Sequence, residues 1–290
     1  MNLITLTGEP WRDYGLIDSG HGRKLERYGD YRFVRPEPQA LWAPASGEWT
    51  AHGEFVPGAD EDGGGRWRFD RPVPERGWPL AWQEVRYTAS PTPFRHLGFF
   101  PDMAPVWTWL RDQLAGTRDP QFLNLFGYTG VGTLALAAAG AHCVHVDASK
   151  KSVEAARANA ALSGMTDKPV RWLVEDATKF AAREVRRGRR YDAILLDPPK
   201  WGRGPNNELW KLEEGLPGLI RDVAALIDGE SRAVFLTVYA VRMSALAIGE
   251  LMAQAFAGKG GRVEAGELGV REEARGLTLP TAIFARWSRD

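Results

Sequence analysis

The chain has 290 residues, with 37 basic and 37 acidic side chains balancing to a formal net charge of zero. That balance argues against wholesale electrostatic capture of nucleic acid and leaves only local basic patches for such contacts. Its 44% hydrophobic and 26% charged content describes an ordinary globular protein, long enough for one large domain plus a small one.

The single Cys143 excludes an internal disulfide, and five scattered histidines offer no metal-ligand spacing. No apolar run reaches the length of a membrane span, and Met1 to Asp13 lacks a basic-then-apolar signal pattern. A cytoplasmic protein with no metal and no membrane partner is expected.

Most of the 19 prolines lie before Gln121, a spacing that long helices do not survive. Short strand-like runs occupy this part: Tyr31 to Val34, Trp49 to Val56, Trp67 to Phe69 and Trp82 to Tyr87. Turn signals separate them at Pro36-Glu37-Pro38, Gly58 to Gly65 and Glu75-Arg76-Gly77. Residues 1–92 read as a small β-rich domain whose six tryptophans fill a thin core. Gly58 to Gly65 reads as a flexible hairpin tip.

Asp102 then has the position of an N-cap for a helix with apolar residues Met103, Val106, Trp107, Leu110 and Leu114. From Gln121 strands and helices alternate: strand Phe122 to Phe126, helix Val131 to Ala139, strand His142 to Asp147, helix Lys150 to Leu162 capped by Ser149, strand Val170 to Val174 and helix Ala177 to Arg187. Strand Tyr191 to Asp197, helix Lys211 to Ile227 interrupted at Pro217, strand Ala233 to Val238 and helix Ser244 to Ala257 follow. Two closing strands, near Arg262 to Leu268 and Leu277 to Trp287, have no helix between them and read as an antiparallel hairpin on an otherwise parallel sheet.

Between the first of these strands and its helix lies Asn124-Leu125-Phe126-Gly127-Tyr128-Thr129-Gly130-Val131-Gly132. The order G-x-x-G-x-G differs from the dinucleotide fingerprint G-x-G-x-x-G and suits a zwitterionic amino-acid tail better than a pyrophosphate. Asp147 ends the next strand, where an acid accepts both hydroxyls of a ribose. Asp176 follows the third, placed to accept from an exocyclic adenine amine.

These residues resemble the class I S-adenosylmethionine-dependent methyltransferases, and among them the bacterial ribosomal RNA large-subunit methyltransferases related to the RNA cytosine-C5 enzymes. The likeness covers about residues 94–240. It implies S-adenosylmethionine as cofactor and a Rossmann-like α/β fold, a seven-stranded mostly parallel sheet with an antiparallel C-terminal hairpin, over residues 93–290. Asn124, Phe126, Gly127, Tyr128, Thr129, Gly130 and Gly132 would hold the methionine part. Asp147 with Ala148 would take the ribose, Asp176 with Ala177 the adenine, and Asp197 would line the same pocket. The stretch Phe94 to Asp102, with Phe100 and Asp102, would close over the cofactor. Residues 1–92 would serve substrate recognition.

Asp197-Pro198-Pro199-Lys200 ends the buried run Ile194-Leu195-Leu196. Each proline fixes its own φ and keeps the preceding residue out of helical geometry, so the Asp197 and Pro198 carbonyls cannot enter a helix. With the Asp197 carboxylate they form a row of acceptors at a strand end. In N-methyltransferases carrying this motif, the acid and the first proline carbonyl accept from an exocyclic amine, which assigns Asp197, Pro198, Pro199 and Lys200 to catalysis. Trp201 could stack on a flat base, Lys200 and Arg203 could hold phosphate, and Tyr239 could line the base pocket.

Carbon-5 methylation of cytosine needs a thiolate. The relatives carry a Cys at the end of the fifth strand, where Leu236-Thr237-Val238-Tyr239-Ala240 has none. Cys143 lies inside the second strand and reads as an inert core residue. The basic stretch Arg183 to Arg190 reads first as the solvated end of a helix.

Methylation of an RNA base, ribosomal RNA foremost, at nitrogen is therefore expected. A small-molecule or protein side-chain methyltransferase, or a non-catalytic cofactor-fold module, stands as the alternative.

Overall fold

A computed structural model of the protein describes residues 3–58, 64–239 and 242–289. Of the hairpin tip expected to be flexible, Gly58 to Gly65, residues 59–63 lie outside the described residues. In chain order the first strands are β1 (Leu3–Gly8), β2 (Tyr14–Gly20), β3 (Arg23–Tyr28), β4 (Tyr31–Pro36), β5 (Gly53–Pro57), β6 (Gly65–Phe69), β7 (Trp78–Trp82) and β8 (Val85–Ala89). A 3-10 turn, Pro101–Met103, leads into α1 (Ala104–Leu114).

There follow β9 (Gln121–Leu125), α2 (Val131–Ala138), β10 (His142–Asp147), α3 (Lys150–Leu162), β11 (Val170–Val174), α4 (Ala177–Arg186) and β12 (Ala193–Leu196). The chain closes with β13 (Trp201–Arg203), β14 (Leu209–Lys211), α5 (Leu212–Ala225), β15 (Ala233–Val238), α6 (Ala245–Ala255), β16 (Arg262–Arg271) and β17 (Thr278–Ser288).

Two compact units result. One comprises Met1–Leu6, Val106–Glu267 and Ala282–Asp290; the other comprises Thr7–Pro105 and Leu268–Thr281. The second, β-rich unit thus runs past residue 92 and includes a segment from near the C-terminus. Main-chain bonds tie that segment in, from Glu273 N–H to the Leu16 carbonyl and from Ala274 N–H to the Ile17 carbonyl.

In this unit β2 to β6 form one antiparallel-rich sheet in chain order, and β7 and β8 a separate hairpin. The strand expected over Trp82 to Tyr87 is interrupted by the turn of that hairpin at Gln83 and Glu84, where Gln83 takes φ of 49°, and Val85 to Tyr87 belong to β8. The β2–β3 hairpin escapes sequence patterning because its turn uses His21 and Gly22, both left-handed. Of the six tryptophans expected in the core, Trp78 and Trp82 are buried, together with Tyr14, Tyr28, Phe33 and Tyr87, while Trp11, Trp42, Trp49 and Trp67 are half-buried. Phe99 joins this aromatic core, its ring centroid 4.4 Å from Tyr87 and 5.7 Å from Tyr28. Asp102 is not a helix cap. The 3-10 turn begins after Phe100 with Pro101 in its first position and no side-chain cap, and Asp102 is buried within it.

The first unit is built on an eight-stranded sheet in the order β1-β16-β17-β15-β12-β9-β10-β11. Strands β11, β10, β9, β12 and β15 are parallel, and β17 runs antiparallel to β15. The family sheet of seven strands is present, with β1 added at its edge. The apolar face of α1 is formed as its spacing predicts, with Val106, Trp107, Leu110 and Leu114 buried. Ser149 and Ser244 cap α3 and α6, each accepting from the N–H three residues on, a contact worth about 1 kcal/mol per helix. Helix α5 is unbroken and contains Pro217.

Candidate active site

Register brings the functional strand ends into one row. Leu125 of β9 lies beside Val146 of β10 and Leu196 of β12, and Asp147 lies beside Val174. Leu196 in turn lies beside Leu236 of β15, so Asp197 emerges next to Thr237. The chain goes from β9 outward through β10 and β11, then returns to β12 on the other side of β9. That reversal is a topological switch point, and open α/β sheets bind ligands at the carboxyl ends of such strands.

The turn after β9 is held from below. Gly127 N–H donates to the Val146 carbonyl at 3.0 Å, and a Cβ on Gly127 would fall 2.5 Å from the His145 ring. Gly130 is left-handed, with φ of 78°, and a Cβ there would meet Ala156 at 2.7 Å. The glycines are therefore demanded first by the protein under the turn. Phe126 and Tyr128 are also left-handed, at φ of 59° and 48°. Two bulky residues in that region mark stored strain, which concentrates at functional sites.

Beneath them runs a buried polar chain. Asn124 Nδ2 donates to Thr133 Oγ1 at 2.9 Å, and Thr133 Oγ1 lies 2.9 Å from His145 Nδ1. Burial pushes the His145 pKa down to about 3, so its ring is neutral at working pH. Asn159 Nδ2 holds the Thr129 carbonyl from α3 at 2.9 Å.

Asp147 ends β10. Its Oδ2 accepts from Tyr128 N–H at 2.9 Å and its Oδ1 from Ser149 N–H at 2.8 Å. Each oxygen uses one lone pair on the main chain and keeps another. Burial raises the Asp147 pKa above its ordinary value, and the two N–H bonds oppose that rise. Asp176 caps α4, accepting from Thr178 N–H, Thr178 Oγ1–H and Lys179 N–H, all at Oδ1. Its Oδ2 accepts from none of the described residues.

On the other side of β9, Thr237 Oγ1–H donates to Asp197 Oδ1 at 2.6 Å. Pro198 is buried, and its carbonyl accepts from no described residue. The next carbonyl is occupied, since Trp210 Nε1–H donates to Pro199 O at 2.7 Å. The Lys200 carbonyl accepts from Leu212 N–H at 3.0 Å. Of the two proline carbonyls, that of Pro199 is therefore engaged in holding the turn.

A family model described as S-adenosylmethionine-dependent methyltransferase matches residues 59–225. The chain belongs to the S-adenosylmethionine-dependent methyltransferases. The crystal structure of an S-adenosylmethionine-dependent methyltransferase from Agrobacterium tumefaciens is 43% identical, with a TM-score of 0.93 over 99% of this chain and 94% of that one. The ribosomal RNA large subunit methyltransferase K/L of Stutzerimonas stutzeri is 34% identical over 145 residues, which is half of this chain and 18% of that protein. Its counterpart in Pseudomonas aeruginosa is 31% identical over 153 residues, again half of this chain and 18% of that protein. This methyltransferase thus spans 18% of the length of these curated relatives.

The donor set of the methyltransferase fits its cofactor. Asp147 keeps one acceptor position on each oxygen, as two ribose hydroxyls would require, and Asp176 Oδ2 keeps one that an exocyclic amine would fill. The Phe126 to Gly130 backbone turns tightly because nothing larger than hydrogen fits beneath Gly127. Ala148 and Ala177 adjoin the two acids, Thr129 is fixed through its carbonyl, and Gly132 lies in the first turn of α2.

Asn124 is 3% exposed and supports the turn from beneath. Phe100 and Asp102 belong to the β-rich unit, where Phe100 packs 5.4 Å from His96. Trp201 and Arg203 lie on β13, which forms a hairpin with β14. Tyr239 follows β15 and is half-buried.

Cys143 is buried, and burial drives its thiol pKa far up, as its inert reading requires. His142 is exposed while His145 is buried, on opposite faces of β10. Arg183 and Arg187 pair with Glu175 and Glu184 around α4, consistent with a solvated helix end. Thr237, Thr133, His145 and Asn159 are the supporting residues that sequence reasoning missed. Among the described residues, no helix is long and apolar enough to cross a membrane.

Proposed function

We propose that this methyltransferase methylates an exocyclic amine of an RNA base, with ribosomal RNA as the substrate. The observation that carries the reading is the acceptor pair Asp197 and Pro198: a carboxylate fixed by Thr237 beside a carbonyl that no described residue fills. One N–H of the amine donates to the Asp197 carboxylate and the other to the Pro198 carbonyl, which turns the nitrogen lone pair outward. S-adenosylmethionine, when bound, supplies a methyl group on an already activated sulfonium leaving group. What the chain adds is mainly position, an effect on the order of 7–11 kcal/mol in ideal cases.

As the new N–C bond forms at the expense of the methyl–sulfur bond, whose electron pair would stay with the departing thioether, one N–H bond breaks and its proton passes to the Asp197 carboxylate. Lys200 meets a substrate phosphate, and Tyr239 lines the base pocket. Thr237 stands at the end of the fifth parallel strand, and Cys143 is too buried and too weakly acidic to serve as a nucleophile. Both facts favour nitrogen over carbon 5. The RNA substrate is supported by the names of the relatives that match over half of this chain. On this reading the β-rich unit serves substrate recognition, and the enzyme works in the cytoplasm.

The test is transfer of a labelled methyl group from S-adenosylmethionine to RNA purified from a strain lacking the gene. Label should enter that RNA and not RNA from the parent strain. Equal labelling of both, or of neither, contradicts the reading.

A further inference from the structure

The hairpin that follows the catalytic motif has two unlike faces. Across it Trp201 pairs with Lys211, Gly202 with Trp210 and Arg203 with Leu209. Paired residues share a face, and successive ones alternate. Gly202 and Trp210 therefore form one side, and Trp201, Arg203, Leu209 and Lys211 the other.

The first side is fully used. Trp210 is 6% exposed, bonds the Pro199 carbonyl and packs its ring 5.3 Å from Phe126 of the glycine turn. The second side carries Trp201 at 55% and Leu209 at 56% exposure. The Arg203 guanidinium stands 5.5 Å from the Trp201 ring centroid, and its partner is the neutral Asn207 side chain, so its charge is not neutralised there.

The six residues of β13 and β14 include no carboxylate. Glu208, the acid next to them, is drawn to Lys179 at 2.6 Å. Lys179 belongs to the first turn of α4, the helix capped by Asp176, so the hairpin tip is tied to the cofactor half of the site.

Lys211, on the same face, is paired with Glu214 at 2.8 Å, which leaves Arg203 as the cation beside the exposed Trp201 and Leu209, a surface that water serves poorly and a nucleotide serves well. Aromatic side chains stack on any base, and arginine adds both cation–π and phosphate contacts. We propose that this outer face docks an unpaired nucleotide flanking the methylated base, its base on Trp201 and its phosphate on Arg203. The assignment rests on the RNA reading above and adds to it a grip on the neighbour of the target.

The experiment measures binding of a fluorescein-labelled, mixed-sequence single-stranded RNA by anisotropy, alongside methyl transfer and S-adenosylhomocysteine affinity. Trp201→Ala should weaken RNA binding about tenfold, and Trp201→Phe should stay within about threefold of wild type. Arg203→Ala should weaken binding and reduce the salt slope by about one. Unchanged S-adenosylhomocysteine affinity in all three establishes that the fold is intact.

Wild-type RNA methylation with Trp201→Ala equally active and equally tight overturns this inference alone. Absence of RNA binding and transfer in the wild type removes the RNA reading and this inference with it. A wild-type dimer that Trp201→Ala converts to monomer assigns the face to self-association and also overturns it.

Discussion

The two sides of β9 are built to different standards. On the cofactor side the two acids and the glycine turn are held by the chain itself: Asp147 by two main-chain N–H groups, Asp176 by the helix it caps, and the turn by the Val146 carbonyl. On the acceptor side the row is less occupied at Pro198. Thr237 orients Asp197, while the Pro198 carbonyl accepts from no described residue and the adjoining hairpin exposes Trp201 and Leu209. A small, invariant cofactor can be met by a pocket preorganised in the fold. On the proposed function, a large substrate would bring a donor to the Pro198 carbonyl and cover the exposed ring itself.

Asp197→Ala should separate the two sides most sharply. Transfer to RNA should fall about 10²–10³-fold, as when an oriented polar group is removed from a reacting centre, while S-adenosylhomocysteine affinity by calorimetry stays within about threefold. Equal losses in both would erase the distinction.

Asp147→Ala should do the reverse, weakening S-adenosylhomocysteine about 10–100-fold by deleting acceptors of two charge-assisted hydrogen bonds. The same carboxylate gives a pH test. Burial raises its pKa above the ordinary 3.8, and only the ionised form accepts from both hydroxyls. Affinity should be constant near neutral pH and fall on acidification, with a midpoint above 3.8 that is lost in Asp147→Asn.

Thr237→Val keeps the shape at β15 but removes the hydroxyl that fixes Asp197. A drop in kcat of about tenfold, with unchanged cofactor affinity, is expected in steady-state assays. Cys143→Ala should have the smallest effect, with transfer within about twofold of wild type. A large loss there would restore a thiol route and carbon 5 as the target.

Much of this was legible in the chain. The alternation of strands and helices from Gln121 fixed the parallel sheet, and Asp147, Asp176 and Asp197 stand at strand ends because their neighbours are apolar runs of strand length. Sequence could not show what each acid bonds. Thr237 meets Asp197 only through the β12–β15 register, and His145 meets Gly127 only through the docking of the turn onto β10. Strands β13 and β14 have three residues each, too short for any periodicity. Strand β1 joins the sheet beside β16, a pairing across most of the chain that local pattern does not carry. Asn124 looked like a ligand-facing residue because it adjoins the glycine turn, yet its amide serves Thr133.

The central claim concerns an amine held by Asp197 and Pro198, and nucleoside analysis of the product tests it most directly. RNA lacking the modification is incubated with enzyme and S-adenosylmethionine carrying a deuterated methyl group, digested to nucleosides and resolved by mass spectrometry. The account predicts the label on the exocyclic nitrogen of a base. Label on cytosine carbon 5 or on a ribose 2′-oxygen would contradict it.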